Sequence, residues 1–243
     1  VVFWNHGGGS ITGVCFDEKN EYDSLSLTDI DKAFTSVFEE MNDKFEFVGF
    51  DACLMATVET ANVLVPHARY MIASEETEPG RGWDYTEIGR YLDENPGCTG
   101  AQVGKVAADS FYESCAASDE EAGATLSVTD LSKIDKLIVA INNAAASMNG
   151  ASDDSSNLSG MVRSIRNAKN YGGNNKSEGY TNMVDLGELF KSACGDSEAQ
   201  AVMDALNDAV VYNVYGDDEY GSNGLSTYYP LSIEGSQELN IFK

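Results

Sequence analysis

The 243-residue chain is 42% hydrophobic, with 23 glycines and only 4 prolines, which suits one globular α/β domain. Its 40 acidic and 15 basic residues give a formal net charge of -25, which argues against binding to nucleic acid or anionic membranes and would attract basic peptides. The same acidity also suits solubility outside the cell, and no apolar stretch approaches the ~20 residues that a membrane span requires.

Strands and helices are predicted to alternate along the first part of the chain. Short apolar runs predict three strands, at 1–5, 45–50 and 68–74. Apolar residues at helical spacing predict helices at 26–41 and 54–65. A polar, glycine-rich loop at 6–25 separates the first strand from the first helix, and the loop at 75–85 contains Pro-Gly. The central strand, 45–50, therefore leads almost directly into a helix.

The rest of the chain continues this alternation, with one interruption. Further strands are predicted at 124–130 and 224–230. Further helices are predicted at 86–95, 99–116, 131–148, 158–169, 183–193 and 198–213. Residues 149–157, NGASDDSSN, predict a flexible link before a helical C-terminal part. Strands that alternate with helices imply a mainly parallel sheet covered by helices on both faces.

Cys53 is the candidate nucleophile, because it lies in the connection between the central strand and its helix. Such connections lie at the carboxyl edge of the sheet, where open α/β folds bind ligands. The N-terminus of a helix that starts at Leu54 would also favour the thiolate. A bridge between Cys98 and Cys115 is conceivable, but the irregular spacing favours isolated thiols and shows no zinc-type pair.

His6 is the candidate partner of Cys53, since it ends the first strand and parallel strands deliver their carboxyl ends to one edge. The other histidine, His67, follows the central helix at the opposite edge and is interpreted as a surface or helix-end residue. A Cys–His pair requires proximity on the scale of a hydrogen bond, or a gap that substrate closes. Only His6 meets that requirement.

Three glycines, 7–9, follow His6 directly. Attack on an amide carbonyl creates negative charge on oxygen, and residues without side chains let N–H groups approach that oxygen closely. Gly7 or Gly8, together with the N–H of Cys53, could form such an oxyanion hole. A phosphate cradle is the alternative, but neither a GxxxxGK[ST] pattern nor a nearby lysine accompanies the glycines.

Asp51 lies two residues before Cys53, so both side chains point to the same side of an extended strand. Its carboxylate would bind a cationic group of the substrate beside the thiol. From spacing alone, an N-cap of the following helix explains this aspartate at least as well.

Four sequence blocks resemble the clostripain family of cysteine peptidases, which shares a fold clan with caspases, legumains and gingipains. The blocks are NHGGG at 5–9, GFDACLM at 49–55, ASEETEPGRGW at 73–83 and GLSTYYP at 224–230. The resemblance spans nearly the whole chain, and the DACLM block after a buried strand is quite specific. It implies one peptidase domain over 1–243 with an α/β, three-layer caspase-like sandwich fold.

By this resemblance, Cys53 is the nucleophile and His6 the general base or acid of a dyad without an obligatory third member. The N–H groups of Gly7 and Cys53 would form the oxyanion hole. Asp51 would lie at the floor of the S1 pocket, which receives the residue before the cut, and would select Arg or Lys. Two residues of the loop after the third strand would help to wall this pocket, Glu76 and Glu78.

Family members are often made as precursors that are cut in the loop between the His and Cys strands. In this chain that loop carries Lys19, so cleavage after Lys19 is the predicted activation step, with Arg81 as a rival site. Some relatives depend on calcium, and the carboxylates at 153–154 and 217–219 suit a hard cation. Solvated acidic turns explain both clusters as well, no EF-hand spacing is present, and no metal or other cofactor is predicted to be required.

The predicted function is a secreted or cell-surface bacterial cysteine endopeptidase, monomeric, acting on peptides and proteins after Arg or Lys. A non-catalytic module of the same fold, holding basic peptides or calcium in an acidic cleft, is the alternative. A thiol-dependent transferase would share the dyad but would need a second substrate site. Because the chain opens inside a strand, while relatives carry sheet strands before it, we expect it to be part of a longer protein.

Overall fold

The computed structural model of the protein describes residues 1–151, 155–175, 179–191 and 193–230. Its strands are β1 (Val2–Trp4), β2 (Val14–Asp17), β3 (Asp23–Leu25), β4 (Phe45–Asp51), β5 (Ala68–Ala73), β6 (Thr125–Asp130), β7 (Asn170–Tyr171), β8 (Asn174–Asn175), β9 (Gly179–Tyr180), β10 (Met183–Asp185), β11 (Val210–Tyr215) and β12 (Ser226–Tyr228). Its α-helices are α1 (Gly9–Thr12), α2 (Leu27–Val37), α3 (Val58–Leu64), α4 (Tyr85–Glu94), α5 (Gly100–Ala116), α6 (Ile134–Ala151), α7 (Ser155–Asn167), α8 (Leu186–Lys191) and α9 (Asp196–Ala209).

The central sheet has five strands in the order β1-β4-β5-β6-β11. The first three strands run parallel to one another, whereas β6 and β11 are antiparallel additions on one side. In the register between β1 and β4, Trp4 lies opposite Asp51, so the two strands end at the same level. The connections that leave β1 and β4 therefore emerge side by side.

Helices cover both faces of this sheet, which gives three layers. One apolar cluster joins the sheet to α2, α3, α6, α8 and α9, with Leu64 and Leu137 fully buried. A second cluster joins the other face to α4 and α5, with Phe111 fully buried. The predicted α/β sandwich with helices on both faces is confirmed. Among the described residues, no helix is long and apolar enough to cross a membrane.

Side-chain caps fix where several helices begin. Ser26 accepts a hydrogen bond from the N–H of Asp29, and Thr99 accepts one from Gln102, each within a reciprocal capping box. Such caps satisfy N–H groups that have no partner inside the helix. The helix predicted at 26–41 thus has Ser26 as its cap, and its last part is a 3₁₀ turn, Phe38–Glu40.

The helix predicted at 54–65 begins later than expected, at Val58. The backbone of residues 52–57 instead bonds to the segment after β5: the N–H of Leu54 donates to Glu76 and that of Ala56 donates to Ser74. Leu54 has a φ of +66°, which a helix cannot contain. Thr57 caps α3 by accepting from Thr60. Cys53 therefore does not lie at a helix N-terminus, contrary to the prediction.

The C-terminal third differs more from the sequence-based elements. The predicted helix 198–213 ends at Ala209, because the β-branched and aromatic run Val210–Tyr215 pairs with β6 as a strand. The predicted helix 183–193 opens with β10, and the predicted strand 224–230 shortens to β12. These two strands pair with each other in a separate sheet, β12-β10-β7. The predicted loop 6–25 contains α1 and the β2–β3 hairpin.

The flexible link predicted at 149–157 is largely replaced by helix. α6 continues to Ala151 and α7 begins at Ser155. Residues 152–154, which include the acidic pair 153–154, lie outside the described residues.

Candidate active site

A cleft of about 490 Å³ opens where β1 and β4 end. Its lining brings together the sequence-predicted thiol, imidazole and carboxylates from three segments: the end of β1, the end of β4 and the loop after β5. These residues are His6, Asp51, Cys53 and Glu78, and the lining also includes Trp4 and, from a fourth segment after β2, Glu18. The cleft is therefore built by strand order, since neighbouring parallel strands deliver their carboxyl ends to one place.

His6 and Cys53 both line this cleft, and each has its own polar neighbours. The Cys53 Sγ accepts a hydrogen bond from the N–H of Glu78, with a distance of 3.3 Å. The His6 Nε2 lies 3.5 Å from Glu18 Oε1, and both side chains are mostly exposed. The His6 carbonyl accepts from the N–H of Cys15, which ties the His6 segment to β2. The imidazole is thus accessible from the cleft and faces a carboxylate.

Gly7 is in extremely close contact with the Cys53 backbone. A Cβ atom placed on Gly7 would lie 2.2 Å from the Cys53 carbonyl oxygen and 3.1 Å from the Cys53 nitrogen. No side chain fits into that space, so a glycine is required for the two backbone segments to lie together. This contact brings the amide nitrogens of Gly7 and Cys53 into one region beside the thiol. Gly8 packs instead against the side chain of Thr12.

Asp51 is buried below the cleft, with 4% of its surface exposed. Its Oδ2 accepts a hydrogen bond of 2.7 Å from the hydroxyl of Tyr85 and one of 3.3 Å from the N–H of Trp83. Gly82 passes directly over the carboxylate, since a Cβ there would lie 2.8 Å from Oδ1. Asp51 is not a helix cap, because Thr57 caps α3. The carboxylate is therefore bonded by Trp83 and Tyr85, and it belongs to the lining of the cleft.

Glu78 lies near Asp51 in the lining of the same cleft. Its Oε1 accepts a long bond of 3.5 Å from the indole N–H of Trp83, whereas its Oε2 is buried and meets no donor. Burial raises the pKa of Glu78 well above its ordinary value, and the negative charges of Asp51 and Cys53 raise it further. Burial and these neighbouring groups thus favour the neutral form of Glu78.

Glu76 points away from this pair. Both of its carboxylate oxygens accept from the N–H of Gly172, at 2.9 and 3.0 Å, so the side chain connects the loop after β5 to the C-terminal third. Its backbone carbonyl accepts from Leu54, the residue after Cys53. The prediction that Glu76 helps to wall the S1 pocket is not favoured by this contact with Gly172.

Thr125 anchors the loop that carries these glutamates. Its Oγ1 accepts from the N–H groups of Glu75 and Glu76, at 3.1 and 3.0 Å. The Ser74 hydroxyl lies 2.8 Å from the same oxygen. A single hydroxyl at the start of β6 therefore fixes the backbone that leads to Glu78.

Sequence reasoning missed a buried polar cluster behind this loop. The Glu75 carboxylate accepts from the N–H of Gly224, and burial raises its pKa well above the ordinary value, with Asp185 adding to the effect. Asp185 accepts from the hydroxyl of Tyr171 and from both nitrogens of Asn223. These residues are far apart in the sequence and lie outside any periodic pattern, so only the fold brings them together.

The remaining predicted residues lie away from the cleft or at its rim. His67 is at the end of α3, as predicted, but it is buried rather than on the surface, with its Nε2 3.1 Å from Asp31. All five cysteines are free thiols, including Cys98 and Cys115. Lys19 is exposed on the β2–β3 turn, and Arg81 pairs with Glu120 at 3.1 Å. Across the described part of the chain, no cluster of three or more His, Cys, Asp or Glu side chains could hold a metal.

The family model of the clostripain family (peptidase family C11) matches residues 1–235. The fold and this match define a cysteine peptidase, and the chain belongs to the clostripain family. The resemblance seen in the sequence blocks is confirmed. No curated protein sequence matches the chain.

Several solved structures share this fold, and three of them illustrate the likeness. A secreted C11 cysteine protease from Bacteroides thetaiotaomicron was solved in complex with an irreversible peptide inhibitor. It is 23% identical to this chain with a TM-score of 0.71, and the match covers 100% of this chain and 69% of that protein. An inactive zymogen C11 protease from Parabacteroides distasonis is 19% identical with a TM-score of 0.66, covering 99% and 66%. A clostripain from B. thetaiotaomicron, in complex with the peptide inhibitor BTN-VLTK-AOMK, is 19% identical with a TM-score of 0.60, covering 90% and 92%.

The contact at Gly7 gives a prediction for the site. In Gly7→Ala the new methyl group must push the Cys53 backbone away, so peptidase activity should fall at least ~100-fold, because small misplacements of a catalytic group have such effects. The matched control is Gly123→Ala, where nothing lies within 4 Å of the added Cβ. Steady-state kinetics should show near-native activity for the control, and an active Gly7→Ala protein would contradict the importance of this contact.

Proposed function

We propose that the protein is an endopeptidase that cleaves peptide bonds after Arg or Lys with a Cys53–His6 dyad. The observation that carries this proposal is a thiol and an imidazole lining one cleft above the buried carboxylate of Asp51. A cationic side chain that enters the cleft would find two carboxyl groups, Asp51 and Glu78, next to the thiol.

The proposed reaction proceeds through an acyl-enzyme. The Cys53 thiolate attacks the carbonyl carbon, and the oxyanion receives hydrogen bonds from the N–H groups of Gly7 and Cys53. His6 then protonates the leaving amine as the C–N bond breaks. In the second half, His6 takes a proton from water, which attacks the thioester and releases the acid. Glu18 Oε1 lies 3.5 Å from the imidazole Nε2 on the side of the cleft formed by the turn after β2.

Asp51 is proposed to form the floor of the S1 pocket, with Glu78 beside it. Asp51 is already bonded by Tyr85 and Trp83, so its position does not depend on substrate, and preorganisation of this kind lowers the cost of binding. Among the structural neighbours, the B. thetaiotaomicron clostripain was solved with an inhibitor whose peptide, VLTK, ends in lysine. That relative supports a basic residue at the same position in substrates of this chain. Glu76 is assigned to the support of the loop rather than to contact with substrate.

Kinetics with a panel of peptides varied at the residue before the cut tests this assignment. Cys53→Ala should lower activity on Arg and Lys peptides by at least ~10⁴-fold, since it removes the nucleophile. Asp51→Asn keeps the size of the side chain but removes its charge, and should lower kcat/KM for Arg peptides at least ~30-fold, which corresponds to about 2 kcal/mol.

Asp93→Asn, which makes the same charge change on the exposed face of α4, is the control and should match the wild type. Unchanged selectivity in Asp51→Asn would contradict the S1 assignment. A wild-type protein that binds basic peptides without cleaving them would favour the non-catalytic alternative instead.

Processing in the β2–β3 turn is proposed as the activation step. Lys19 is exposed there, next to Glu18, which lines the cleft and faces His6. A precursor state is known in one structural neighbour, the zymogen from P. distasonis. Secretion is proposed on the same basis, since the B. thetaiotaomicron neighbour is a secreted protease.

Mass spectrometry of the incubated chain tests the processing site. The wild type should be cut after Lys19 and gain activity as it is cut, whereas Lys19→Gln should remain whole. Arg81→Gln is the matched variant at the rival site, and it should be processed normally because Arg81 is held by Glu120. An intact wild-type chain with full activity would refute processing as the activating step.

A further inference from the structure

Two carboxyl groups share one small, buried region at the base of the cleft. Trp83 donates to both carboxyl groups, from its backbone N–H to Asp51 at 3.3 Å and from its indole N–H to Glu78 at 3.5 Å, and both groups line the cleft beside Cys53. Two carboxyl groups that share a donor residue in a region removed from water repel each other strongly when both are ionised. The empty pocket is therefore most stable with one proton shared between them.

The donors around the pair indicate which member keeps the proton. Asp51 accepts from the hydroxyl of Tyr85 and the N–H of Trp83, so two donors already face this carboxyl group. Glu78 has only the long contact with the Trp83 indole, and its buried Oε2 has no donor. A buried acceptor without a donor is costly, and its free-energy cost is lower when the group is neutral. Glu78 is therefore the protonated member.

We propose that Glu78 is a second specificity-determining carboxyl group of the S1 pocket, which holds a proton against Asp51 when the pocket is empty and releases it to solvent when an Arg or Lys side chain enters. The inference rests on the proposed basic S1 pocket. In this exchange the neutral Glu78 carboxyl group loses one proton to water and becomes a carboxylate. The positive charge of the bound side chain then balances the new negative charge. A guanidinium carries five N–H donors in a planar fork, enough to bond to both carboxylates at once.

The charged groups that face Glu78 are consistent with this exchange. The end of β4 and the residues after it contribute Asp51 and Cys53, and α4 contributes the phenol of Tyr85. Elsewhere in the cleft lining, His6 faces Glu18. Behind Glu78, burial raises the pKa of Cys115 to about 11, so that thiol is neutral, and Arg81 is engaged by Glu120. The titratable neighbours are Asp51, Cys53, Tyr85, Cys115, His6, Glu18, Arg81 and Glu120.

The direction of the pH effect on binding follows from the direction in which the Glu78 pKa changes. The pKa of Glu78 is raised in the empty pocket, and a bound cation must lower it, since an opposite charge favours the carboxylate. Below the raised pKa, binding of a basic side chain therefore requires loss of a proton and strengthens as pH rises. Above that pKa, Glu78 is already ionised and the affinity becomes independent of pH.

A pair of peptides that differ only in the residue before the cut measures this effect. One carries arginine and the other citrulline, which has the same shape without the charge. The ratio of their kcat/KM values cancels the titration of the dyad, since both peptides react through Cys53 and His6. In the wild type this ratio should rise with pH, approaching ~10-fold per pH unit below the Glu78 pKa, and then level off.

Variants assign the rise to Glu78. In Glu78→Gln the ratio should be flat between about pH 5 and 8, because the carboxyl group that is proposed to release the proton is gone while Asp51 alone remains. Glu113→Gln, which removes the same charge from the exposed face of α5, should keep the wild-type profile. A flat ratio in the wild type, or an unchanged rise in Glu78→Gln, would overturn the proposal. A wild type that does not prefer arginine to citrulline at any pH would instead refute the basic S1 pocket, and this proposal with it.

Calorimetry provides a measurement that does not depend on the folding of Glu78→Gln. The arginine peptide is titrated into the uncleaving Cys53→Ala protein in two buffers of different ionisation enthalpy. Close to one proton should be released per peptide bound below the Glu78 pKa, and none with the citrulline peptide. Binding of the arginine peptide without proton release would overturn the proposal even if the Glu78 variant is unstable.

Discussion

The contact between the backbones at Gly7 and Cys53 is the constraint on which the site depends. β1 and β4 are parallel neighbours in register, so their ends meet, but a side chain at residue 7 would hold them apart. Only with glycine do the imidazole of His6 and the thiol of Cys53 open into one cleft. The helices on both faces of the sheet pack against β4, and this packing fixes the position of the strand that leads to Cys53.

A second constraint is the cost of placing carboxyl groups next to the cleft. Asp51 and Glu78 are each buried or partly buried, and burial raises the pKa of Glu78. A chain selected for stability alone would avoid such groups. Their presence is explained if the site must receive a positive charge, with the loop after β5 fixed by Thr125 and by the Glu76–Gly172 contact. The overall negative charge of -25 would also attract basic substrates towards the cleft.

Much of the parallel core could be predicted from sequence, because its signals are local. The buried strand 45–50, the strand 68–74 and the helix 99–116 have uniform periodicity and clear caps, and strand order alone placed His6 and Cys53 at one edge. The helix after Cys53 was predicted too early, because the spacing of Leu54 and Val58 fits a helix while backbone bonds to Ser74 and Glu76 decide otherwise.

Other features could not be predicted because they depend on distant partners. Val210 and Val214 also fit helical spacing, and only pairing with β6 makes this segment a strand. The Glu75–Asp185–Tyr171 cluster joins segments about a hundred residues apart. The pairing of Glu78 with Asp51 likewise depends on the path of the 75–83 loop, which no periodic pattern describes.

The account rests on Cys53 being the nucleophile directly above a pocket for positive charge. The most direct test is a crystal structure of the protein after reaction with a thiol-reactive peptide that ends in arginine. The account predicts one covalent bond, to Cys53 Sγ, with the guanidinium at about 3 Å from the Asp51 carboxylate and the peptide carbonyl oxygen facing the N–H groups of Gly7 and Cys53. An adduct on another cysteine, or an arginine side chain that lies outside the cleft, would contradict it.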